Sequence, residues 1–118
     1  MGNEAVLATT IELLKELIFL IKKTSMTPRV KERYTQILDR WVYDLKTPFI
    51  ARNIPTEKRR EMLKNHQKNL EVYLVNEIKR DIKEQEWFGD DETGREIEKL
   101  CDLIIKNVKR FEPSKITV

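Results

Sequence analysis

The chain has 118 residues, of which 36% are charged and 40% hydrophobic, and its formal net charge is +3. These values are typical of one ordinary domain, and they exclude any need for metal ions or disulfides to complete a small core. Cys101 is the single cysteine, so no intrachain disulfide is possible. We expect Cys101 to be a buried core residue rather than a catalytic thiol.

The first predicted helix covers residues 3–23, with Asn3 as its N-cap, and carries an unusually wide apolar face. Two rows of apolar side chains together cover roughly half of its circumference. Because a helix at the rim of a bundle needs only about 100° of apolar surface, this helix either is central in the fold or also binds another molecule. The rows are Leu7, Ile11, Leu14, Ile18 and Ile21, and beside them Val6, Leu13, Leu17 and Leu20.

The second predicted helix begins after Thr27, which we expect to cap it, and has Pro28 in its first turn. It ends before Pro48, since a residue that precedes proline avoids the helical region. Residues 47–55 then form a joint that is long and unusually apolar for a helical bundle. A helix-turn-helix motif fits poorly, because its helices are joined by only about three or four residues.

The third predicted helix starts near Thr56 and is expected to continue to Glu86, a length of ~45 Å. Its apolar stripe runs through Leu70 and Leu74 and then drifts to residues including Val75, Ile78 and Ile82. A drifting stripe predicts either that the helix bends or that its two halves face different neighbours.

The fourth predicted helix is bounded by local signals at both ends. We expect Gly89 to end the preceding helix as a left-handed cap, and Thr93 with Glu96 to form a capping box. Pro113 closes the helix, which gives one domain of residues 1–112 and a short tail of residues 113–118. With no useful period-two apolar alternation, the sequence predicts an all-α fold, an antiparallel four-helix bundle with a long third helix.

The sequence offers no arrangement that points to catalysis. The residue three before His66 is Leu63, so the Glu-x-x-His motif of di-iron bundles is absent, and one histidine with one cysteine cannot supply a zinc site. The glycines are too isolated for a phosphate-binding loop. We therefore expect no enzyme, no cofactor, no metal and no small-molecule substrate, with His66 packed at the edge of the core.

Membrane insertion and secretion are also not indicated. The start of the chain lacks the basic region of a signal peptide. The longest uninterrupted apolar run in the first helix is residues 17–21, far short of the ~20 residues that a membrane span needs. We expect a cytoplasmic protein.

Basic residues are concentrated in residues 58–68 and 106–115, which an antiparallel bundle would bring to one end. Arg60, Lys64 and Lys68 are one turn apart and could neutralise phosphates with salt-dependent affinity. These basic residues are interpreted either as a solvated face without a partner or as the binding surface of a nucleic-acid-associated protein. The residues of that second interpretation are Arg59, Arg60, Lys64, Lys68, Lys109 and Arg110.

Several apolar side chains fall where a core cannot easily use them. Phe19 lies in the middle of the polar face of the first helix, and aromatic residues in such places are enriched at protein interfaces. The sequence therefore favours a protein-binding module, an accessory subunit, adaptor or regulator, that binds a protein partner or self-associates through helix 1. The expected contact residues are Phe19, Leu13, Leu17, Leu20, Phe49, Ile50, Ile54 and Trp87.

Overall fold

The computed structural model describes residues 2–84 and 91–117, and the regular structure in those ranges is entirely helical, without a strand. The predicted all-α class is therefore confirmed for these residues. The predictions for Glu86, Trp87 and Gly89 lie outside them. The elements are α1 (Asn3–Lys22), α2 (Pro28–Asp44), α3 (Thr47–Ile50), α4 (Thr56–Tyr73), α5 (Arg80–Glu84), α6 (Asp91–Val108) and a 3₁₀ turn at Pro113–Lys115.

The helix α1 is central, because it packs against α2 and also against α6. Its wide apolar face is used mainly inside the chain, which is the first of the two alternatives that the sequence left open. Leu7 and Leu13, at the margins of that face, are only partly buried against the core. The buried residues of α1 are Val6, Thr10, Leu14, Leu17, Ile18 and Ile21.

Asn3 does not cap α1 as predicted; Gly2 occupies the N-cap position. The Asn3 side chain instead bridges to the end of the chain. Its Nδ2 donates to the Glu112 carbonyl at 3.0 Å, and its Oδ1 accepts from the Glu112 N–H at 2.8 Å. This pair of bonds fixes the start of α1 beside the segment that follows α6.

A buried polar contact joins α1 to α6. The Asn107 Nδ2 donates to the Val6 carbonyl at 3.0 Å and to the Thr10 hydroxyl at 2.6 Å. The Thr10 hydroxyl in turn donates to the Val6 carbonyl at 2.7 Å. Because each of these polar side chains has a partner, the network fixes the alignment of α1 against α6 without leaving an unpaired group.

The long third helix of the prediction is observed as α4, a π-helical segment at Leu74–Lys79, and α5, which follow one another without a break. A π turn holds more residues than an α turn, so it rotates the positions that face the core. This is the physical reason for the drifting stripe. Leu70, Leu74 and Ile78 are fully buried, whereas Val75, which the pattern placed on the stripe, is 42% exposed.

The joints differ from the prediction in three details. The joint of residues 47–55 contains α3, with Pro48 buried and the Phe49 ring centroid 5.8 Å from that of Phe111. The helix α6 already includes Asp91, so Thr93 lies within the helix and is not the predicted N-cap. At the start of α2, Thr27 does occupy the N-cap position, but its side chain makes no capping hydrogen bond.

The segment predicted as a tail folds back onto α4 in its described part, residues 113–117. Ile116 is only 4% exposed and belongs to the core cluster. Arg60 Nε donates to the Ile116 carbonyl at 3.0 Å. The Gln67 side chain on α4 donates to the carbonyls of Val108 and Phe111, both at 3.0 Å. The helix α4 therefore lies beside the end of α6 and the segment that follows it.

Candidate functional site

The outer face of α1 carries the exposed aromatic residue that the sequence singled out. Phe19 is 56% exposed, and the Lys23 Nζ lies 4.1 Å from its ring centroid. A shallow groove runs along this face, away from α2 and α6. Its lining residues are Ala8, Thr9, Glu12, Leu13, Lys15, Glu16 and Phe19. An exposed aromatic ring beside a groove is a common feature of protein-binding surfaces.

The other predicted contact residues on α1 differ in how accessible they are. Leu17 is fully buried, so its inclusion in a contact surface is wrong: its side chain is part of the core that α1 forms with its neighbours. Leu13 and Leu20 are both partly buried against the core. Of the two, Leu13 also lines the groove with Phe19. The accessible surface of α1 therefore centres on Phe19 and Leu13.

The predicted contact residues outside α1 do not line that groove. Ile50, on α3, is 66% exposed. Phe49 packs partly against the core and, with Glu4 and Lys115, lines a separate depression near the chain ends. Ile54 is half-buried. Trp87 lies outside the described residues.

Arg59 was predicted to bind phosphate, and its burial contradicts that role, because the side chain belongs to the interior. It is 7% exposed. Its guanidinium donates to the carbonyls of Ile54 at 3.1 Å, Pro48 at 3.5 Å and Thr117 at 3.4 Å, and to the Thr56 hydroxyl at 3.2 Å. Arg59 thus joins the α3–α4 joint to the C-terminal segment.

The remaining basic residues lie at the surface, interleaved with carboxylates. Arg60 pairs with Glu57 at 2.7 Å, and Lys109 pairs with Glu71 at 3.2 Å. Lys58, Arg60 and Lys64 line a common groove with Ser114 of the C-terminal segment. Three other residues predicted to contact nucleic acid are exposed and form no ion pair with the described residues: Lys64, Lys68 and Arg110. The positive potential of this surface is weaker than the sequence suggested, because Glu57, Glu61 and Glu71 share it.

A seam of ionisable side chains between α2 and α4, continuing toward α5, was not predicted as a unit. The His66 ring meets Trp41 edge-on, with centroids 5.5 Å apart. Burial lowers the pKa of His66, and the charge of Asp44 partly offsets this. Burial likewise raises the pKa of Tyr73. The spacing of seven residues between His66 and Tyr73, which places them on one helix face, was the available signal.

Asp81 extends this seam at the start of α5. Burial, with a smaller effect of Glu84, raises the pKa of its carboxyl group, and Arg33 on α2 opposes the shift. Cys101 on α6 is fully buried as predicted, and burial raises the pKa of its thiol to about 12. A thiol with that pKa is protonated at neutral pH and is a poor nucleophile.

Within residues 2–84 and 91–117, no group of three or more His, Cys, Asp and Glu side chains is placed to hold a metal ion. None of the helices described there combines the length and apolar character needed to cross a membrane.

Comparison with known proteins assigns no family to the chain. No protein-family model, curated protein or solved structure matches it.

Proposed function

We propose that the protein is a non-enzymatic, cytoplasmic protein-binding module, an accessory subunit, adaptor or regulator of a larger complex. The observation that carries this proposal is Phe19, 56% exposed on the outer face of a helix whose other sides already pack within the chain. Exposure of a large aromatic side chain to water is unfavourable relative to its burial. Burial of Phe19 against a partner would therefore stabilise the complex.

The module has the form of an antiparallel four-helix bundle in this proposal, with α4 and α5 as its long third helix. One contact between helix ends supports the arrangement, because Asn3 at the start of α1 bonds to Glu112 just after α6. Trp41 late in α2 also meets His66 in the middle of α4, which places these two helices side by side. In such a bundle the groove of α1 faces outward, so a partner can approach it without opening the core.

A comparison of two variants tests the proposal. Tagged native protein, Phe19→Asp and Val72→Asp are used to recover partners from the source cell's lysate, with and without nuclease. Val72 is a matched control, because it is an exposed apolar residue (46%) on α4. Native protein and Val72→Asp are expected to retain the same proteins after nuclease, and Phe19→Asp to lose them. Equal recovery by all three would show that Phe19 is an ordinary surface residue.

The alternative function, binding of a nucleic-acid backbone, has one supporting observation: the exposed Lys64 and Lys68 stand one turn apart on α4. Phosphate contacts release counterions, so affinity would fall steeply with salt. Replacing both lysines by Glu is then expected to reduce the slope of log affinity against log salt by roughly 1.8 on duplex DNA. Lys46→Glu with Lys99→Glu, two exposed lysines elsewhere, is the control. An unchanged slope for the first double variant would refute this alternative.

A further inference from the structure

The outer face of α1 carries a symmetric pattern of charge and size. Six of its exposed residues follow one another at spacings of four, four, three, four and four, and at 100° per residue they fall within an arc of about 100°, which also holds the exposed Ala5 and Lys22 and is bordered by Glu16. The first three are acidic, small and acidic, and the last three are basic, large and basic. In chain order they are Glu4, Ala8, Glu12, Lys15, Phe19 and Lys23.

This pattern is complementary to itself when a second helix is laid across it in the opposite direction. A single register places Glu12 opposite Lys15, Ala8 opposite Phe19, and Glu4 opposite Lys23. Each of these pairs occurs twice about a two-fold axis between residues 13 and 14, as an isologous contact requires. In an in-register parallel pair, by contrast, every charge would meet its like.

We infer that the occupant of this face is a second copy of this chain, bound through α1 in the antiparallel direction. The inference rests on the proposed function, because it names the partner of the same surface. Charge complementarity selects the second copy over an unrelated helix, since opposite charges across an interface fix both partner and register.

The groove supplies the complementary shape. The small side chains Ala8 and Thr9 line it at one end and Phe19 at the other. The antiparallel register therefore places the Phe19 ring of each copy over Ala8 of the other. Lys23, whose Nζ already lies 4.1 Å from the Phe19 ring centroid, gains Glu4 of the second copy as a counter-ion.

The contact is expected to be modest in strength. The helix α1 has 20 residues, which corresponds to about 30 Å. One helix pair of that length buries less than the roughly 1,200–2,000 Å² of stable complexes. We therefore expect a dimer that dissociates in the micromolar range.

Charge reversal provides a specific test by sedimentation velocity at low salt. The variant Glu12→Lys is basic at both positions 12 and 15, which lie on either side of the two-fold axis. The variant Lys15→Glu is acidic at both of these positions. Each variant alone meets like charges across the axis, so we expect its self-association to be at least about tenfold weaker than that of the native chain. Mixed in equal amounts, the two variants restore both opposite-charge pairs and are expected to form a heterodimer.

A matched control lies on α4, where Glu61 and Lys64 have the same residue types, spacing and exposure. Glu61→Lys and Lys64→Glu are expected to dimerise like the native chain, alone or mixed. The inference is overturned if the native chain is monomeric at several hundred micromolar, or if the mixture of Glu12→Lys and Lys15→Glu gains no heterodimer. If the chain is monomeric, but Phe19→Asp fails to recover from lysate a different protein that the native chain recovers, the proposed function stands. Unchanged protein recovery by Phe19→Asp would count against that function instead.

Discussion

The contact between α2 and α4 holds two buried polar atoms without a hydrogen-bond partner in the described part of the chain, Tyr73 Oη and His66 Nε2. A buried polar atom without a partner lowers stability, because it loses its hydrogen bonds to water on folding. Both residues lie on one face of α4, and Tyr73 directly precedes the π-helical segment. The cost is therefore local, and it can be measured one side chain at a time.

Replacement of Tyr73 by Phe removes the hydroxyl and keeps the ring. Since the hydroxyl has no hydrogen-bond partner among the described residues, we expect Tyr73→Phe to raise the free energy of unfolding by about 1 kcal/mol. Urea denaturation followed by circular dichroism measures the change. Tyr43→Phe is the control, because Tyr43 is 72% exposed and should change stability little. A loss of stability in Tyr73→Phe would mean that the hydroxyl is stabilising where it lies.

His66 makes stability depend on pH. Burial lowers its pKa from the ordinary value of 6.5, so below that pH the unfolded chain binds more protons than the folded chain. The stability due to His66 is therefore complete above pH 6.5 and decreases as the pH falls through the folded-state pKa. We expect the native chain to lose stability relative to His66→Gln as the pH falls from neutral to below about 6.5. Parallel urea titrations across that range measure the difference, and a constant difference would contradict the assigned shift.

At the scale of elements, Arg59 joins three segments that are distant in sequence or irregular in conformation. It lies in α4, yet it donates hydrogen bonds to Pro48 in α3, to Ile54 before α4 and to Thr117 near the end of the chain. A buried guanidinium satisfied by carbonyl groups gains little from any single bond but holds several elements at once.

Replacement of Arg59 by Ala leaves those carbonyls without their donor and opens space in the interior. We expect the free energy of unfolding to fall by about 2–4 kcal/mol. Hydrogen exchange should also increase in residues 113–117, because Thr117 loses a contact to α4. Lys58→Ala, at the adjacent exposed position, is the control and should change stability by less than about 0.5 kcal/mol. Similar losses in the two variants would refute the joining role of Arg59.

The spacing of apolar residues was sufficient to predict the long helices, because each buries a periodic face. It could not predict α3, whose four residues are too few to show a period and whose Phe49 packs on the distant Phe111. The prediction of Thr93 as an N-cap was wrong for a local reason, because the same residue types are also acceptable inside a helix. The π-helical segment was visible only as the drift of the stripe.

The candidate surface was predictable to a similar degree. Phe19 could be identified because its helical position is opposite the apolar face, and it is exposed as expected. Leu17 and Arg59 could not be assigned correctly from pattern alone. Which apolar row of α1 faces a neighbour, and whether a basic residue meets distant carbonyls, are decided by tertiary packing.

For the whole molecule, the modest charge matters more for association than for the fold. A formal net charge of +3 gives only weak repulsion between two copies of the chain. The charges that differ between the two halves of the outer face of α1 act at close range instead. Self-association through this face would therefore depend on the order of charges along α1 rather than on the net charge.

Association of the native chain should be visible in its thermal stability. Because a dimer that forms only from folded chains stabilises the folded state by mass action, the Tm should rise with protein concentration. Once the dimer is populated, a tenfold increase in concentration is expected to raise the Tm by about 2–3 °C. Differential scanning calorimetry at several concentrations measures this slope. Glu12→Lys alone should show almost none, whereas its equimolar mixture with Lys15→Glu should recover it, since only the mixture restores opposite charges across the two-fold axis. A native Tm that is independent of concentration into the hundreds of micromolar would contradict dimerisation, because mass action then has no folded complex to favour.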